Sequence, residues 1–470
     1  MDFDPNKPTA KNRGRSPSLA AALSFLWPGL GQLYEGKRRQ AALFAAPAVL
    51  ALLLLVYQLR AGAVVFAARI FADRTFGLAA VAILLLLCAL RAASVALAFL
   101  GGERRRTRRI PERLILVALV AVIVLSHAGV GYFMLTASNA GEQMFSPPQN
   151  SSLIDLTNPS IDIGAGQTQI TPLKPPSLDS RVTILFTGVD SAPSRGEHLY
   201  DSIMVVSYDP HTNSVQMVSV PRDEASYPMY YGNHPVVAVT TRINSIPTYV
   251  KNGWIPSPDS PYMTLVNEVS YLVGIPIDYY AVMDLAGFAK MIDMVGGIDV
   301  VNPSAIDDPT YDWLDGKTFG FQLNAGSQHL TGKQALAYVR SRHGAGDNDW
   351  HRESRQQEVL VSLLHRMSQP SQLLNLPTII STLGSNIATN FPAQSVADYV
   401  GFGQNVPSGN FNQVVLGPPT YTILNVNHVD SASTTCLLND KVAALSIQLF
   451  GKDSTWYGKP APANTCPPSY

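Results

Sequence analysis

Between Tyr338 and Gln357 the chain reads YVRSRHGAGDNDWHRESRQQ. This stretch gathers Arg340, Arg342, Arg352 and Arg355 around Asp347 and Asp349 in a protein of which only 14% is charged. A guanidinium is a planar fork that matches two oxygens of a phosphate, and several of them held close repel one another unless an anion sits among them. Arg352 and Gln356 stand i,i+4 on the helix that RESRQQEVLVSLLHRM predicts, and Arg355 follows at i+3, so the three can share a face. Arg340 and Arg342 are two apart and point the same way if that piece is extended. The glycine-containing HGAGDND lets the two pairs approach. Two readings fit: a phosphate or pyrophosphate site, or a surface ion network completed by Asp347, Asp349, Glu353 and Glu358.

Three other pieces add to the first reading. TGVD puts Asp190 at the end of an apolar run, where ligand sites of α/β sheets gather. LYDSI puts Asp201 at the start of the next strand. VPRD puts Arg222 and Asp223 at the end of a third. Two carboxylates at strand edges near arginines suit a Mg2+ that shares phosphate oxygens. A strand-end Asp alone is an ordinary turn residue; the joint occurrence is what points to phosphate chemistry. No His/Cys set has zinc-ligand spacing, no Ser-His-Asp set can be assigned, and His343 and His351 read as loop residues.

The elements that must hold these residues alternate. RVTILFTGVD is a buried strand, SIMVVSYD and SVQMVSVPRD form a hairpin across PHTN, and YYAVMD is a further strand. MTLVNEVSYLVG and LAGFAKMIDMVGG have helical spacing and end in glycine. TGKQALAYV opens on Thr331 and Gln334, the spacing of a capping box. The expected fold is α/β, a mixed sheet sandwiched by helices, preceded by an α-helical transmembrane region.

That region follows from hydropathy and charge. Residues 41–59, 76–100 and 114–135 are long apolar runs, close to the roughly 20 residues a helix needs to cross a bilayer. Residues 1–113 hold 17 Lys/Arg against 6 Asp/Glu, and residues 114–470 hold 17 against 28. Lys7, Lys11, Arg13, Arg15 and Lys37–Arg39 precede the first span, and RRRTRR at 104–109 precedes the third. Basic short flanks stay cytoplasmic, so the expected topology is a multi-pass cell-membrane protein with everything after about 136 outside. Arg60, Arg69 and Arg74 in the connecting loop count against it but are sparser. SLAAALSFLWPGLGQLYEG, 18–36, resembles a Pro-Gly membrane hairpin; it reads as re-entrant or interfacial, with a fourth span as the alternative. Residues 137–180 are rich in Ser, Pro, Asn, Gln and Thr and read as an extracytoplasmic linker. Three cysteines do not make a disulfide scaffold; Cys88 packs in an apolar run, and Cys436 and Cys466 are either one disulfide or two free thiols.

Taken in order, ILFTGVD, YDSIMVVSYDP, VSVPRD, RINS, GIPIDYYAVMDLAGFAKMIDMVGGIDV, LTGKQALAYVRSRH and DWHRESRQQ resemble the LytR-CpsA-Psr family of extracytoplasmic phosphotransferases. The resemblance covers about residues 181–367. It implies a catalytic domain over 181–370, with 371–470 as an extension packed on it. It also implies transfer of a glycopolymer phosphate from a polyprenyl-pyrophosphate carrier to peptidoglycan, as in wall teichoic acid attachment, with the membrane and these two substrates as partners and no nucleic acid. By position, Asp190 and Asp201 would hold Mg2+, or Mn2+ in its place. Arg340, Arg342, Arg352, Gln356 and Arg242 would bind the pyrophosphate. Asp349 would orient the arginines, and Arg222 would stand at the reacting phosphate. An apolar tunnel for the prenyl chain is expected between sheet and helices. The family usually has Arg where this chain has Leu199; either one phosphate contact is missing here or nearby Arg195 supplies it. A pyrophosphate hydrolase and a non-catalytic receptor for lipid-linked glycans are the alternatives.

Overall fold

The structure, a computed structural model, describes residues 16–60, 62–101, 110–145, 179–190, 199–225, 227–231, 234–239, 241–313, 318–342, 346–367, 369, 372, 386–392, 406–429, 432–464 and 466. The RRRTRR run, most of the expected linker, Arg195 and His343 lie outside the described residues. The chain divides into two compact units, residues 1–139 and 140–470.

The first unit is helical: α1 (Pro17–Leu26), α2 (Leu30–Tyr34), α3 (Arg38–Leu59), α4 (Ala63–Ala72), α5 (Arg74–Leu100) and α6 (Ile110–Phe145). Three segments, Arg38–Leu59, Arg74–Leu100 and Ile110–Asn139, are long and apolar enough to cross a membrane. Little of them is buried within the protein, 6%, 22% and 11%, so their leucine-rich surfaces need an apolar solvent. The expected loop between the first two spans contains α4, which the AVVFAARIFA spacing supports. Residues 18–36 form two helices of ten and five residues, each below the length a fourth span would need. Gly29 breaks them apart at φ 95°, and its N–H donates to Ser94 Oγ at 3.0 Å. Gln32, fully buried, donates to the Ser94 carbonyl at 2.8 Å. These bonds satisfy polar groups that a bilayer interior could not.

In the second unit a six-stranded mixed sheet has the order β11-β6-β1-β2-β3-β12, with β1 Val182–Asp190, β2 Leu199–Asp209, β3 Ser214–Ser219, β6 Tyr279–Asp284, β11 Ile387–Thr389 and β12 Phe411–Val415. β1 runs parallel to β6 and antiparallel to β2, and β3 runs parallel to β12. Four two-stranded ribbons surround it: β4 (Tyr227–Tyr231) with β5 (His234–Val239), β7 (Ile298–Asn302) with β10 (Gly326–Leu330), β8 (Ile306–Asp312) with β9 (Phe319–Leu323), and β13 (Thr422–Val429) with β14 (Ala432–Leu437). One sheet face packs on α7 (Ile246–Lys251), α8 (Pro261–Val273) and α12 (Asn439–Phe450) through Leu185, Val205, Leu265 and Val442. The other faces α9 (Leu285–Met294), α10 (Gly332–Arg340) and α11 (Asp349–Met367). The α/β sandwich is therefore present. Residues after 370 do more than pack around it: they supply both edge strands, β11 and β12, and so cover open ladders that would otherwise pair with other chains. Cys436 and Cys466 are joined in a disulfide, and Cys88 is free.

Candidate active site

Between the sheet and α9–α11 lies a cavity of about 230 Å³. Its clearest feature is one stripe of α11. Arg352, Gln356, Leu360 and Leu363 all line it, at i, i+4, i+8 and i+11, the period of one helix face. Along about 16 Å of helix axis the wall changes from charged to apolar. Phe186, Met204 and Met283 from the sheet and Phe288 from α9 continue the apolar end, and Asp201, Arg222, Arg340 and Arg342 ring the polar end.

A β-bulge places Asp201. The β1–β2 register shifts between Gly188 and Val189, so that Ser202 pairs with Gly188 and Tyr200 with Val189. Asp201 is the extra residue, the kind of local kink that re-aims a side chain. Its Oδ1 accepts from Arg222 Nη1 at 2.6 Å. Arg222 also lies 3.4 Å from Asp223, which lies 3.5 Å from Arg242. Asp349 joins the other arginines, 2.7 Å from Arg352 and 3.7 Å from Arg342. Burial works to raise the Asp349 pKa, but Arg352, Arg222 and Arg342 outweigh it and hold the carboxyl below its usual range. Burial opposes the charge on Arg222 as well, yet Asp201, Asp223 and Asp349 leave its pKa raised. Arg352 differs: burial first and then the neighbouring Arg222 lower its pKa. It is 4% exposed, and its Nε and Nη2 have no hydrogen-bond partner. A buried cation with orphaned donors beside a second cation has the chemistry to accept an anion.

The surrounding elements fix these side chains. Thr331 and Gln334 make the capping box of α10. Gly332 starts that helix so close to α9 that a Cβ would collide with the Ala289 carbonyl oxygen, and its N–H donates to Asp293 at 2.7 Å. Arg340 ends α10 against Tyr311, 3.5 Å from its hydroxyl. The residue between the two arginines, Ser341, donates to Asp308 at 2.8 Å and accepts from Arg355 at its carbonyl. Arg355 also pairs with Asp347 at 2.9 Å. Gln357 ties α11 to β3 and β12, donating to Ser219 at 2.9 Å and to the Val414 carbonyl at 2.8 Å.

Of the residues read from the sequence, Asp201, Arg222, Arg340, Arg342, Arg352 and Gln356 meet in this cavity. Gln356 donates to the Val339 carbonyl at 3.3 Å. Asp349 braces the arginines from behind, and Arg242 lies on a second cavity of about 520 Å³ that shares Arg222, Arg342 and Arg352 with the first. Asp190 closes β1 opposite Leu199; its side chain lies outside the described ones. Arg355 does not share the face of Arg352 and Gln356. It stands about 60° to one side of Arg352 on the helix and serves as a strut. Glu353 is no surface ion partner either: it is 4% exposed and lines the second cavity. That cavity is completed by Leu424, Thr434 and Thr435, 71 to 82 positions later, which no local pattern reveals.

The model of the LytR_cpsA_psr family matches residues 155–442, more than half of the chain. The protein belongs to the LytR_cpsA_psr family. A relative 30% identical over 284 residues is the polyisoprenyl-teichoic acid–peptidoglycan teichoic acid transferase TagV of Bacillus subtilis, covering 60% of this chain and 64% of the relative. The transferase TagU of Bacillus anthracis is 31% identical over 224 residues, 47% of this chain and 64% of that one. The chain thus spans just under two thirds of the length of these relatives. A crystal structure of B. subtilis TagV matches 59% of this chain and 98% of its own at 25% identity, with a TM-score of 0.46.

Proposed function

We propose that the protein is a membrane-anchored phosphotransferase that moves a glycopolymer phosphate from a polyprenyl-pyrophosphate carrier to peptidoglycan. The observation that carries this is the graded stripe of α11. A prenyl pyrophosphate has a doubly anionic head and a long apolar tail, and Arg352, Gln356, Leu360 and Leu363 present those two environments in sequence along one wall. The name of TagV, which describes transfer between a polyisoprenyl-linked polymer and peptidoglycan, supports the same reading.

In this reading the pyrophosphate lies among Arg340, Arg342 and Arg352, meeting the orphaned donors of Arg352. Arg222 stands at the phosphoryl group that moves. Phosphoryl transfer needs little covalent help from protein; positioning and charge neutralisation do most of it. Among the described residues no three or more His, Cys, Asp and Glu cluster as metal ligands. Asp201 beside the arginines therefore suits an ion that takes one or two carboxylates and completes its shell with phosphate oxygens and water, as Mg2+ does. Asp190 and Asp201 would hold Mg2+, or Mn2+ in its place, and the bound ion would neutralise charge on the phosphates. The basic flanks of the spans and the Cys436–Cys466 disulfide, a bond of oxidising compartments, support an extracytoplasmic site.

The test is to incubate the detergent-solubilised chain with a polyprenyl-pyrophosphate-linked glycan, peptidoglycan and Mg2+, and to follow the lipid by mass spectrometry. Release of polyprenyl phosphate that falls about a hundredfold or more in Arg340→Ala and Asp201→Ala and stops with EDTA is the expected result. Release to water at an undiminished rate without peptidoglycan would move the assignment to a hydrolase, and tight lipid binding without turnover would move it to a receptor.

A further inference from the structure

The second cavity has an unassigned purpose and a distinct chemistry. The shared arginines stand between it and the apolar cavity. Besides the shared arginines it is lined by Arg242, by the carboxyl groups of Asp223, Asp349 and Glu353, and by Trp350, Leu424, Thr434 and Thr435 among others. Three carboxyl groups against the one further cation, Arg242, disfavour a second phosphate there, whereas carboxyl oxygens, hydroxyls and an indole together suit a neutral molecule rich in hydroxyl groups. Glu353 is the most telling member. It is 4% exposed and its Oε2 has no hydrogen-bond partner, so it retains an unspent acceptor at a buried position, where such groups are normally satisfied.

The wall opposite α11 comes from the C-terminal β13–β14 ribbon, and it is tied to the segment that carries Arg222. Glu224, fully buried, accepts from the Leu437 N–H at 2.8 Å and from Thr435 Oγ1 at 3.2 Å. The Thr435 N–H donates to the Asp223 carbonyl at 3.0 Å, and its carbonyl accepts from Ala225 at 2.8 Å. Cys436, between them, is held by the disulfide to Cys466. The ribbon is thus fixed in place as a wall of the cavity.

We propose that this cavity is the acceptor subsite: it takes the glycan to which the phosphate is transferred, with Glu353 binding an acceptor hydroxyl and the β13–β14 ribbon forming the far wall. This rests on the transferase reading above. In phosphoryl transfer the attacking and leaving oxygens stand roughly in line across the phosphorus. If the leaving prenyl phosphate keeps its tail in the apolar cavity, the acceptor must approach from the other side of the arginines, where this cavity opens. Burial, outweighing the neighbouring Arg352, pushes the Glu353 carboxyl up to about 8, so near neutral pH it carries a proton and can both donate to and accept from a sugar hydroxyl.

The experiment has two arms, both with the full chain in detergent. In the first, a soluble N-acetylglucosamine tetrasaccharide is titrated into wild type, Glu353→Leu, which removes the donor and acceptor at near-equal volume, and Leu424→Trp by calorimetry. Leu424 is 47% exposed, so the larger side chain fills the cavity without disturbing a core. Binding that weakens about tenfold in each variant, the worth of one hydrogen bond to a carboxyl or of a blocked cleft, is expected. In the second, the KM values for donor and acceptor are separated in the transfer assay; the acceptor KM should rise about tenfold in both variants and exceed any rise in the donor KM. No tetrasaccharide binding to wild type, or equal binding to all three proteins, overturns the subsite, as does a donor KM that rises in step with the acceptor KM. Glu353-dependent glycan binding without any transfer would leave the subsite standing and remove the transferase reading.

Discussion

Arg352 and Arg355 lie three residues apart on α11 and meet opposite fates. Arg355 gives Nη1 to Asp347 and Nη2 to the Ser341 carbonyl, lays its guanidinium 5.4 Å from the Tyr338 ring centre, and leaves Nε alone without a partner. Arg352 pairs through Nη1 with Asp349 and leaves Nε and Nη2 without partners beside Arg222. Both are buried. The helix therefore has sectors with different work. The Arg352–Leu363 stripe faces the graded cavity, Arg355 and Glu358 brace the loop and α10 on one flank, and Glu353 faces the polar cavity on the other. The pair teaches that the number of arginines in a motif matters less than how many of their donors the fold leaves unspent.

Removing the strut gives the larger effect on the fold. Arg355→Ala strands Asp347, whose side chain is 7% exposed, and such a loss costs about 3 kcal/mol. A drop of about 6 °C in Tm by differential scanning fluorimetry is expected. A shift under about 1 °C would mean that Arg355 and Arg352 do not differ as described.

A smaller effect sharpens the third sector. The folded pKa of Glu353 is raised from 4.5 to about 8. Its contribution to stability is fully present below the unfolded pKa and is lost as pH rises through the folded one. Glu353 faces Arg352 and Asp349 on its own helix and Arg222 and Asp223 from the segment after β3. Between pH 4.5 and 8 the Tm of wild type should fall relative to Glu353→Gln. Parallel Tm curves for the two proteins would show that Glu353 is ionised throughout.

The arginine cluster of the graded cavity was legible in the sequence because its signals are local. LYDSI, VPRD and the RSR and RESRQQ pieces carry their chemistry in residue type and near spacing, and six of the residues so read converge on one cavity. The capping box of Thr331 and Gln334 was legible for the same reason. The bulge at Asp201 was not, since it exists only in the pairing of β1 with β2. The separation of Arg355 from Arg352 was not, because residues at i+3 lie close enough on a helix to fall on either side of a boundary. The polar cavity was hidden for a longer-range reason: part of its lining comes from a ribbon whose strands begin at Thr422 and Ala432, and that segment shows only its own apolar spacing. The helix α4 was missed because the arginines around it read as loop charge.

The measurement that bears most directly on the graded cavity compares two ligands and two variants. Affinities for a polyprenyl pyrophosphate and for inorganic pyrophosphate are measured on wild type, Arg352→Ala and Leu360→Trp, the last filling the apolar end. The expected result is that Arg352→Ala weakens both ligands by about tenfold or more, while Leu360→Trp weakens the polyprenyl pyrophosphate by a similar factor and leaves inorganic pyrophosphate unchanged. Equal losses for both ligands in Leu360→Trp, or no loss for either in Arg352→Ala, would contradict a site that holds the head among the arginines and the tail along α11.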